Sequence, residues 1–234
     1  LPIRIFFLQI RTNKNLLSRI FILQKNFSAY NIEKIMLSIV STPIGNLEDI
    51  TLRALRILKE ADFIACEDTR VTGQLLKFYE IENGGRLMSF HSHSGFSKID
   101  KVIDLLHEEK HVALVSDAGT PGISDPGFIL IKKAIEANLT VEPIPGASAV
   151  LSALVASGFD THQYTYLGFL PIKKGRQTML KKLQNREYTT IVYESVHRIE
   201  KTLSEFEEYF GSETPLVVAR EITKKFEEFT RGTI

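Results

Sequence analysis

The chain has 234 residues, of which 44% are hydrophobic and 24% charged, and its 29 basic and 28 acidic side chains give a net charge of +1. This balance argues against a disordered or fibrous protein and fits one large or two small globular domains. Its one cysteine, Cys66, excludes an intrachain disulfide and a thiolate metal cluster, and no apolar run reaches the roughly 18 residues of a membrane-spanning helix.

Residues 1–36 differ in charge from the rest of the chain. They hold six basic residues and one acidic residue, which leaves 23 basic and 27 acidic residues in 37–234. A basic segment that is poor in acids is typical of a transit peptide, a membrane-surface helix or translated upstream sequence. We expect upstream translation with Met36 as the true start, because a predicted strand follows directly, and we treat 1–36 as an N-terminal extension.

Beyond residue 36, short apolar runs alternate with segments of helical apolar spacing. The predicted strands are 37–41, 63–66, 87–90, 111–116 and 139–144. The predicted helices between them begin near Thr51 and Thr69 and cover 99–106 and 128–137. This alternation is typical of a mostly parallel sheet with helices on both faces, which binds ligands in the loops after its strands. We therefore predict a first α/β domain over 37–146.

A second α/β unit is predicted after the proline-rich turn that ends at Gly146. Its three helices and four extended segments are predicted at 147–157, 164–169, 177–184, 189–194, 196–210, 216–220 and 227–230. We expect residues 147–234 to form a second domain that is truncated, because an unpaired strand edge would be left at its end.

The loop after the first predicted strand, 41–46, holds Pro43 and Gly45 and leads into a helix. Backbone N–H groups at a helix N-terminus suit a carboxylate or another polar end of a ligand. The loop lacks the G-x-G-x-x-G spacing of a conventional dinucleotide site, and a plain tight turn is the alternative interpretation.

The loop after the fourth predicted strand, 116–127, is more informative. It holds three glycines, two prolines and two aspartates in twelve residues, far more than a connection needs. Glycine allows a positive φ and a close approach of the backbone to a ligand, and proline fixes the remaining turns. Asp117 could accept hydrogen bonds from a ligand amine or hydroxyl, whereas Asp125 could be only a cap of the next helix.

Charged and polar residues follow the second and third predicted strands. In the segment 67–70, Glu67 and Asp68 stand near Arg70 and could orient a substrate or move a proton, and the alternative is a capped helix start with a surface ion pair. His91 and His93 have no evident third ligand and no cysteine nearby, so we expect a polar loop and no metal site.

A basic run lies between residues 173 and 186, where six basic side chains occur without an acid. The six residues are Lys173, Lys174, Arg176, Lys181, Lys182 and Arg186. On a body of net negative charge, this run is the natural contact for nucleic-acid phosphates, and a solvated basic helix face is the alternative.

Together these residues make the chain similar to the bacterial small-subunit ribosomal RNA 2′-O-ribose cytidine methyltransferases, a branch of the tetrapyrrole methylase superfamily. Seven motifs carry the resemblance in the family's order, at 42–51, 67–70, 116–127, 145–146, 168–176, 193–198 and 219–221. The resemblance runs from about Leu37 to the end of the chain. The chain departs from the family at Val196, where proline is usual, at Ser92, where an acid is usual, and in lacking further second-domain strands.

The resemblance implies a two-domain α/β enzyme that binds S-adenosylmethionine in the cleft between its domains. The cofactor-binding residues that it implies are Pro43, Ile44, Gly45, Asp117, Ala118, Gly119, Thr120, Pro121, Ile123, Ser124, Pro145 and Gly146. It further implies a homodimer in a bacterial-type cytoplasm, without a membrane, whose partner is small-subunit ribosomal RNA or the 30S particle.

We expect methylation of a cytidine ribose in 16S ribosomal RNA. A carboxylate of Glu67 or Asp68 would help remove the hydroxyl proton, Arg70 would hold a backbone phosphate, and Lys173, Lys174 and Arg176 would contact the RNA. Methylation of a small molecule such as a tetrapyrrole on the same scaffold is a second hypothesis. A non-catalytic RNA-binding or assembly protein is a third, but it would have no use for the elaborate 116–127 loop.

Overall fold

The computed structural model describes residues 36–90, 96–185 and 187–234. The predictions for residues 1–35, for His91 to His93 and for Arg186 lie outside these ranges. Contacts group Ile35–Ile234 into one unit, and its division into domains 37–146 and 147–234 stays a prediction. Within the described ranges, no helix has both the length and the apolar character needed to cross a membrane.

A parallel sheet forms the first half of this unit. Its strands are β1 (Leu37–Val40), β2 (Phe63–Cys66), β3 (Leu87–Ser89), β4 (Val112–Val115) and β5 (Val141–Ile144). Their spatial order is β3-β2-β4-β1-β5, and every neighbouring pair is parallel. The predicted parallel sheet is therefore confirmed, and its central strands β1, β2 and β4 are almost entirely buried because helices cover both faces.

Helices cover the two faces of the sheet in pairs. They are α1 (Leu52–Glu60) and α2 (Thr69–Phe78) on one face, and α3 (Phe96–His107) and α4 (Gly127–Glu136) on the other. Successive side chains of β4 alternate between the faces, with Ala113 and Val115 against the first pair and Val112 and Leu114 against the second. The neighbouring strands β1 and β4 thus lead to helices on opposite faces, which opens a crevice at their carboxyl ends.

In its described residues, the second half of the unit contains two sheets of two strands each. Its elements are α5 (Ala149–Ser157), β6 (Tyr164–Phe169), α6 (Arg176–Leu183), β7 (Thr189–Tyr193), α7 (Ile199–Phe210), β8 (Pro215–Arg220) and β9 (Glu228–Thr233). Strands β6 and β7 pair in parallel, whereas β8 and β9 form an antiparallel pair. The segment expected to be extended at 227–230 is thus a paired strand. Helix α7 begins later than predicted, because the Arg198 N–H donates to the Ser195 carbonyl in a turn.

Candidate functional site

The loops after β1 and β4 are joined by a pair of backbone hydrogen bonds. The Thr42 N–H donates to the Gly119 carbonyl over 2.9 Å, and the Gly119 N–H donates to the Thr42 carbonyl over 3.1 Å. The Thr42 hydroxyl also donates to the Ser116 carbonyl over 3.0 Å. Thr42, Ser116 and Gly119 are all buried, so the two loops form one continuous wall of the crevice.

The 116–127 loop owes its shape to residues in left-handed conformations. Gly119 and Gly122 have φ values of +82° and +86°, and Ser124 has a φ of +61°. The Asp125 carboxylate accepts hydrogen bonds from the N–H groups of Gly122, at 2.8 Å, and Gly127, at 2.6 Å. Asp125 therefore folds the loop and caps the start of α4, which agrees with its interpretation as a cap.

The turn before α5 closes on the same wall. The Ser41 and Thr120 hydroxyls lie 2.9 Å apart, and the Thr120 hydroxyl donates to the Ala147 carbonyl over 3.2 Å. A Cβ atom on Gly146 would lie only 2.8 Å from the Cβ of Ser41. Glycine at position 146 is thus required for the close approach of this turn to the end of β1.

A cavity of about 730 Å³ lies along this wall, within the usual size range of small-molecule sites. The 116–127 loop contributes Ala118, Gly119, Thr120, Ile123 and Ser124 to its lining. On the other side, it is lined by Ser148 and Ala149 of the α5 start and by Phe169, Tyr193 and Glu194 at the ends of β6 and β7. We call this cavity the cleft.

The predicted cofactor residues do not all line the cleft. Pro43, Gly45 and Asp117 line a separate cavity of about 520 Å³ beside α2, and Ile44 and Ala118 line both cavities. Pro121 is buried in the loop, Gly146 packs closely on Ser41 at the end of β1, and Pro145 is exposed and lines neither of these two cavities. The structure thus brings the predicted residues to one side of the molecule and divides most of them between two adjoining cavities.

The Glu67–Arg70 segment separates into two roles. Glu67 lines the cleft. The Asp68 carboxylate instead caps α2 by accepting from the Arg70 N–H at 2.8 Å, and it pairs with the Arg70 guanidinium at 2.6 Å. These hydrogen bonds from the Arg70 side chain and backbone lower the pKa of Asp68 to about 2. Asp68 and Arg70 therefore fit the alternative of a capped helix with a surface ion pair.

Asp117 is also engaged within the protein. Its carboxylate accepts a hydrogen bond from the Asp68 N–H over 3.0 Å, which ties the 116–127 loop to the end of β2. Through this hydrogen bond Asp117 helps to position the 116–127 loop. It also lines the smaller cavity.

Arg176 departs most clearly from its predicted role as an RNA contact. It is only 6% exposed, and its guanidinium donates to the Glu205 carboxylate at 2.7 Å, the Thr202 hydroxyl at 2.7 Å and the Pro171 carbonyl at 3.1 Å. A second carboxylate, that of Glu194, lies 3.7 Å away. Arg176 therefore cannot present its charge to an RNA phosphate in this conformation, and we remove it from the predicted RNA contacts.

Glu194, on the cleft side of this cluster, is held by several donors. It accepts from the Arg198 guanidinium at 2.6 Å, the Thr202 hydroxyl at 2.8 Å and the Ser195 N–H at 2.8 Å. Burial raises the pKa of Glu194, but these hydrogen bonds and the charges of Arg198 and Arg176 lower it below its ordinary value overall. The carboxylate is therefore an ionised structural group whose charge is compensated on the spot.

The other residues of the basic run reach the surface. Lys173 and Lys174 are exposed in the turn between β6 and α6, and Lys181 and Lys182 are exposed on α6. These four lysines form the surface that we call the lysine patch. Among the described residues of the basic run, Arg176 is therefore buried, whereas the four lysines are exposed.

Two contacts between distant segments were missed by the sequence analysis. The Asn46 N–H donates to the Thr223 hydroxyl over 3.0 Å, and a Cβ on Gly45 would lie 2.5 Å from the Cγ of Lys224. The β8–β9 turn therefore packs directly on the 41–46 loop, with Thr223 in a left-handed conformation at a φ of +66°. The only signal was the 219–221 motif, which ends two residues too early to include Thr223.

The second missed contact joins the 116–127 loop to β6. The hydroxyls of Ser124 and Tyr166 lie 2.6 Å apart, and a Cβ on Gly168 would lie 2.8 Å from the Ser124 hydroxyl oxygen. Tyr166 also packs edge-on against Tyr193, whose pKa is raised to about 12 by burial and by Tyr166. The far wall of the cleft is therefore an aromatic cluster, anchored to the loop through Ser124.

The chain is similar to proteins of known family over nearly all of the described residues. Residues 36–234 match the family described as Tetrapyrrole (Corrin/Porphyrin) Methylases. A protein named ribosomal RNA small subunit methyltransferase I from Synechocystis is 46% identical over 200 residues, which is 85% of this chain and 71% of that protein. Its namesake from Bacillus subtilis is 48% identical over 200 residues, 85% of this chain and 68% of that protein.

Solved structures with the same fold are more distant in sequence. The cobalt precorrin-4 methyltransferase of cobalamin biosynthesis superposes with a TM-score of 0.63 at 21% identity, covering 85% of each chain. A diphthine synthase superposes with a TM-score of 0.63 at 16% identity, covering 85% of this chain and 82% of the other. At these identities the structures establish a shared fold alone.

Arg176 provides a test of the buried charge cluster. We expect Arg176→Met to lower the free energy of unfolding by about 3–5 kcal/mol, because it removes the ion-pair partner of the largely buried Glu205 carboxylate, while Glu194 keeps its bond to Arg198. The neighbouring Lys174→Met should change it by no more than about 0.5 kcal/mol, as expected for an exposed side chain. Urea unfolding of both variants measures this difference, and equal stabilities would contradict the described role of Arg176.

Proposed function

The chain belongs to the tetrapyrrole (corrin/porphyrin) methylase family, and from this premise we propose that it transfers a methyl group from S-adenosylmethionine to the 2′-hydroxyl of a cytidine in small-subunit (16S) ribosomal RNA. The single observation that carries the proposal is the cleft, which combines a glycine-rich backbone wall with Glu67 on its lining. The names of the relatives at 46–48% identity supply the class of substrate.

The cleft has the properties that a bound S-adenosylmethionine would need. Gly119 lies on the cleft lining without a side chain, where a Cβ would come within 3.4 Å of Ile44, and Thr120, Ser124 and Ser148 supply polar groups around it. We propose that these residues and Ile123 hold the cofactor, and that Pro43, Gly45 and Asp117 hold the wall from the adjoining cavity. When bound, the cofactor supplies an electrophilic methyl group on a sulfonium.

The protein must then align a ribose hydroxyl and accept its proton. We propose Glu67 as the general base, because it lines the cleft, whereas the neighbouring Asp68 is not among the residues that line the cleft and caps α2. A pKa of about 2 makes Asp68 a weak base, since a general base works best with a pKa near the working pH. Arg70 is 86% exposed in its side chain and stays available to contact a phosphate while it pairs with Asp68.

The lysine patch is the proposed contact for the RNA backbone, with Lys173 and Lys174 nearest in sequence to the cleft residue Phe169. The ammonium groups of these lysines lie in solvent and can contact phosphates without a large desolvation penalty. Arg176 is buried and cannot make such a contact. The 30S particle as substrate, a homodimer and a cytoplasmic location are implied by the resemblance and stay predictions.

The glycine wall gives the first test of the proposal. We expect Gly119→Val to abolish binding of S-adenosylmethionine, because a β-branched side chain blocks the backbone and disfavours a φ of +82°. Gly158→Val is the matched control: Gly158 has a φ of +84°, its Cβ would meet nothing within 4 Å, and it lies at the end of α5 away from the cleft.

Gly158→Val should lose about 1–3 kcal/mol of stability from backbone strain alone, and Gly119→Val at least as much, because position 119 is buried beside Ile44. Calorimetric titration of both variants with S-adenosylmethionine then distinguishes a general effect of backbone strain from a specific loss of the cofactor site. Undiminished affinity in a folded Gly119→Val variant would remove this loop from the cofactor site.

The proposed base gives a second test. We expect Glu67→Gln to lower kcat for RNA methylation by about 100- to 10,000-fold, the usual contribution of a general base, while cofactor affinity is retained. Asp68→Asn should have a far smaller effect, since asparagine is also a good helix cap. Transfer of labelled methyl groups to 16S RNA measures both variants, and the opposite ranking would make Asp68 the base.

The lysine patch gives a third test. Lys173→Ala/Lys174→Ala should weaken RNA binding and reduce the slope of log K against log salt by roughly 0.7 for each lysine that contacts a phosphate. The control is Lys59→Ala/Lys110→Ala, since these exposed lysines lie at the opposite, amino-terminal edge of the sheet. An unaltered slope in the first variant would identify the patch as a solvated face and favour a small-molecule substrate such as a tetrapyrrole.

A further inference from the structure

An exposed aromatic side chain stands at the mouth of the cleft. Phe169 is the last residue of β6 and lines the cleft, yet 54% of its surface is exposed. The isoleucines 123 and 129 line the same cleft and are also about half exposed. An apolar surface around a concave site is typical of a place that a ligand covers.

The ring of Phe169 is held in place from the protein side. It packs against Tyr193 with a centroid distance of 5.4 Å and an interplanar angle of 50°. Tyr193 packs in turn against Tyr166 at 5.4 Å, and the Tyr166 hydroxyl is hydrogen-bonded to that of Ser124 in the 116–127 loop. An aromatic surface that is already ordered costs little entropy when a ligand stacks on it.

The positive charge near Phe169 favours an RNA base over the adenosine of S-adenosylmethionine as the ligand of this surface. Lys173 and Lys174 follow Phe169 by four and five residues, so even a fully extended chain keeps the Cα of Lys173 within about 14 Å of that of Phe169. A polyanion whose phosphates contact these lysines would therefore bring its bases to Phe169. The adenosine of S-adenosylmethionine carries no phosphate and makes no use of the neighbouring lysines.

We propose that Phe169 is the stacking platform for the base of the target nucleotide, and that it sets the depth to which the ribose enters the cleft. This inference rests on the proposed RNA methylation. Unpaired bases in RNA are commonly recognised by stacking on aromatic side chains, and stacking is tolerant of base identity. Phe169 is thus a substrate-positioning residue, distinct from the cofactor wall formed by Gly119 and from the base Glu67.

The test compares Phe169→Leu, which removes the ring but keeps an apolar side chain, with Phe169→Tyr, which keeps the ring. We expect Phe169→Leu to lower kcat/KM for RNA methylation by about 5- to 150-fold, the range measured for loss of one base–aromatic stack. Phe169→Tyr should stay close to the unaltered protein. Phe226→Leu, which changes a phenylalanine that is also exposed, at 71%, but lies outside the cleft, is the matched control.

Two further readouts separate stacking from other roles. The Phe169→Leu variant should bind single-stranded RNA more weakly at every salt concentration with an unaltered salt slope, because no phosphate contact is lost. Its affinity for S-adenosylmethionine and its thermal midpoint should match those of the control. Loss of cofactor affinity, or a reduced salt slope, would overturn the proposal.

The outcomes also distinguish this inference from the proposed function. If the unaltered protein methylates RNA and Phe169→Leu does so equally well, the stacking role is wrong while the proposed function stands. If the unaltered protein methylates no RNA, the proposed function fails and this inference fails with it.

Discussion

Two backbone hydrogen bonds between Thr42 and Gly119 are the constraint on which the cleft depends. Strands β1 and β4 are neighbours in the sheet, but their chains leave toward helices on opposite faces, so their loops would otherwise separate. The bridge prevents this separation and turns the crevice at the switch point into a walled site. At this bridge Gly119 has a φ of +82°, a backbone conformation that glycine adopts without strain.

Each loop of this wall is also tied to the second half of the unit. The 41–46 loop bonds through Asn46 to Thr223 of the β8–β9 turn, and the 116–127 loop bonds through Ser124 to Tyr166 of β6. The buried Arg176 cluster holds Glu194 at the end of β7, where it lines the cleft. Both sides of the cleft are therefore held by contacts within the protein, which lowers the entropic cost of binding a ligand.

The sequence predicts local features well and distant partners poorly. The five strands are recognisable because each is an apolar run followed by a turn, and the 116–127 loop because its glycines and prolines exceed what a connection needs. Arg176 looked like its lysine neighbours, since its partner Glu205 lies 29 residues away and only folding brings them together. The contact of Asn46 with Thr223 spans 177 residues, and no spacing rule predicts it.

Amide hydrogen exchange at Thr42 and Gly119, with and without S-adenosylmethionine, tests the central claim that their bridge forms the cofactor wall. Both N–H groups should be protected in the free protein, and a cofactor concentration of 100 times Kd should slow their exchange by about 100-fold if binding requires the closed bridge. The Ile64 N–H, which bonds to the Arg86 carbonyl at the far side of the sheet, is the internal reference. Unprotected amides at Thr42 and Gly119, or protection that the cofactor increases no more than at Ile64, would contradict this account.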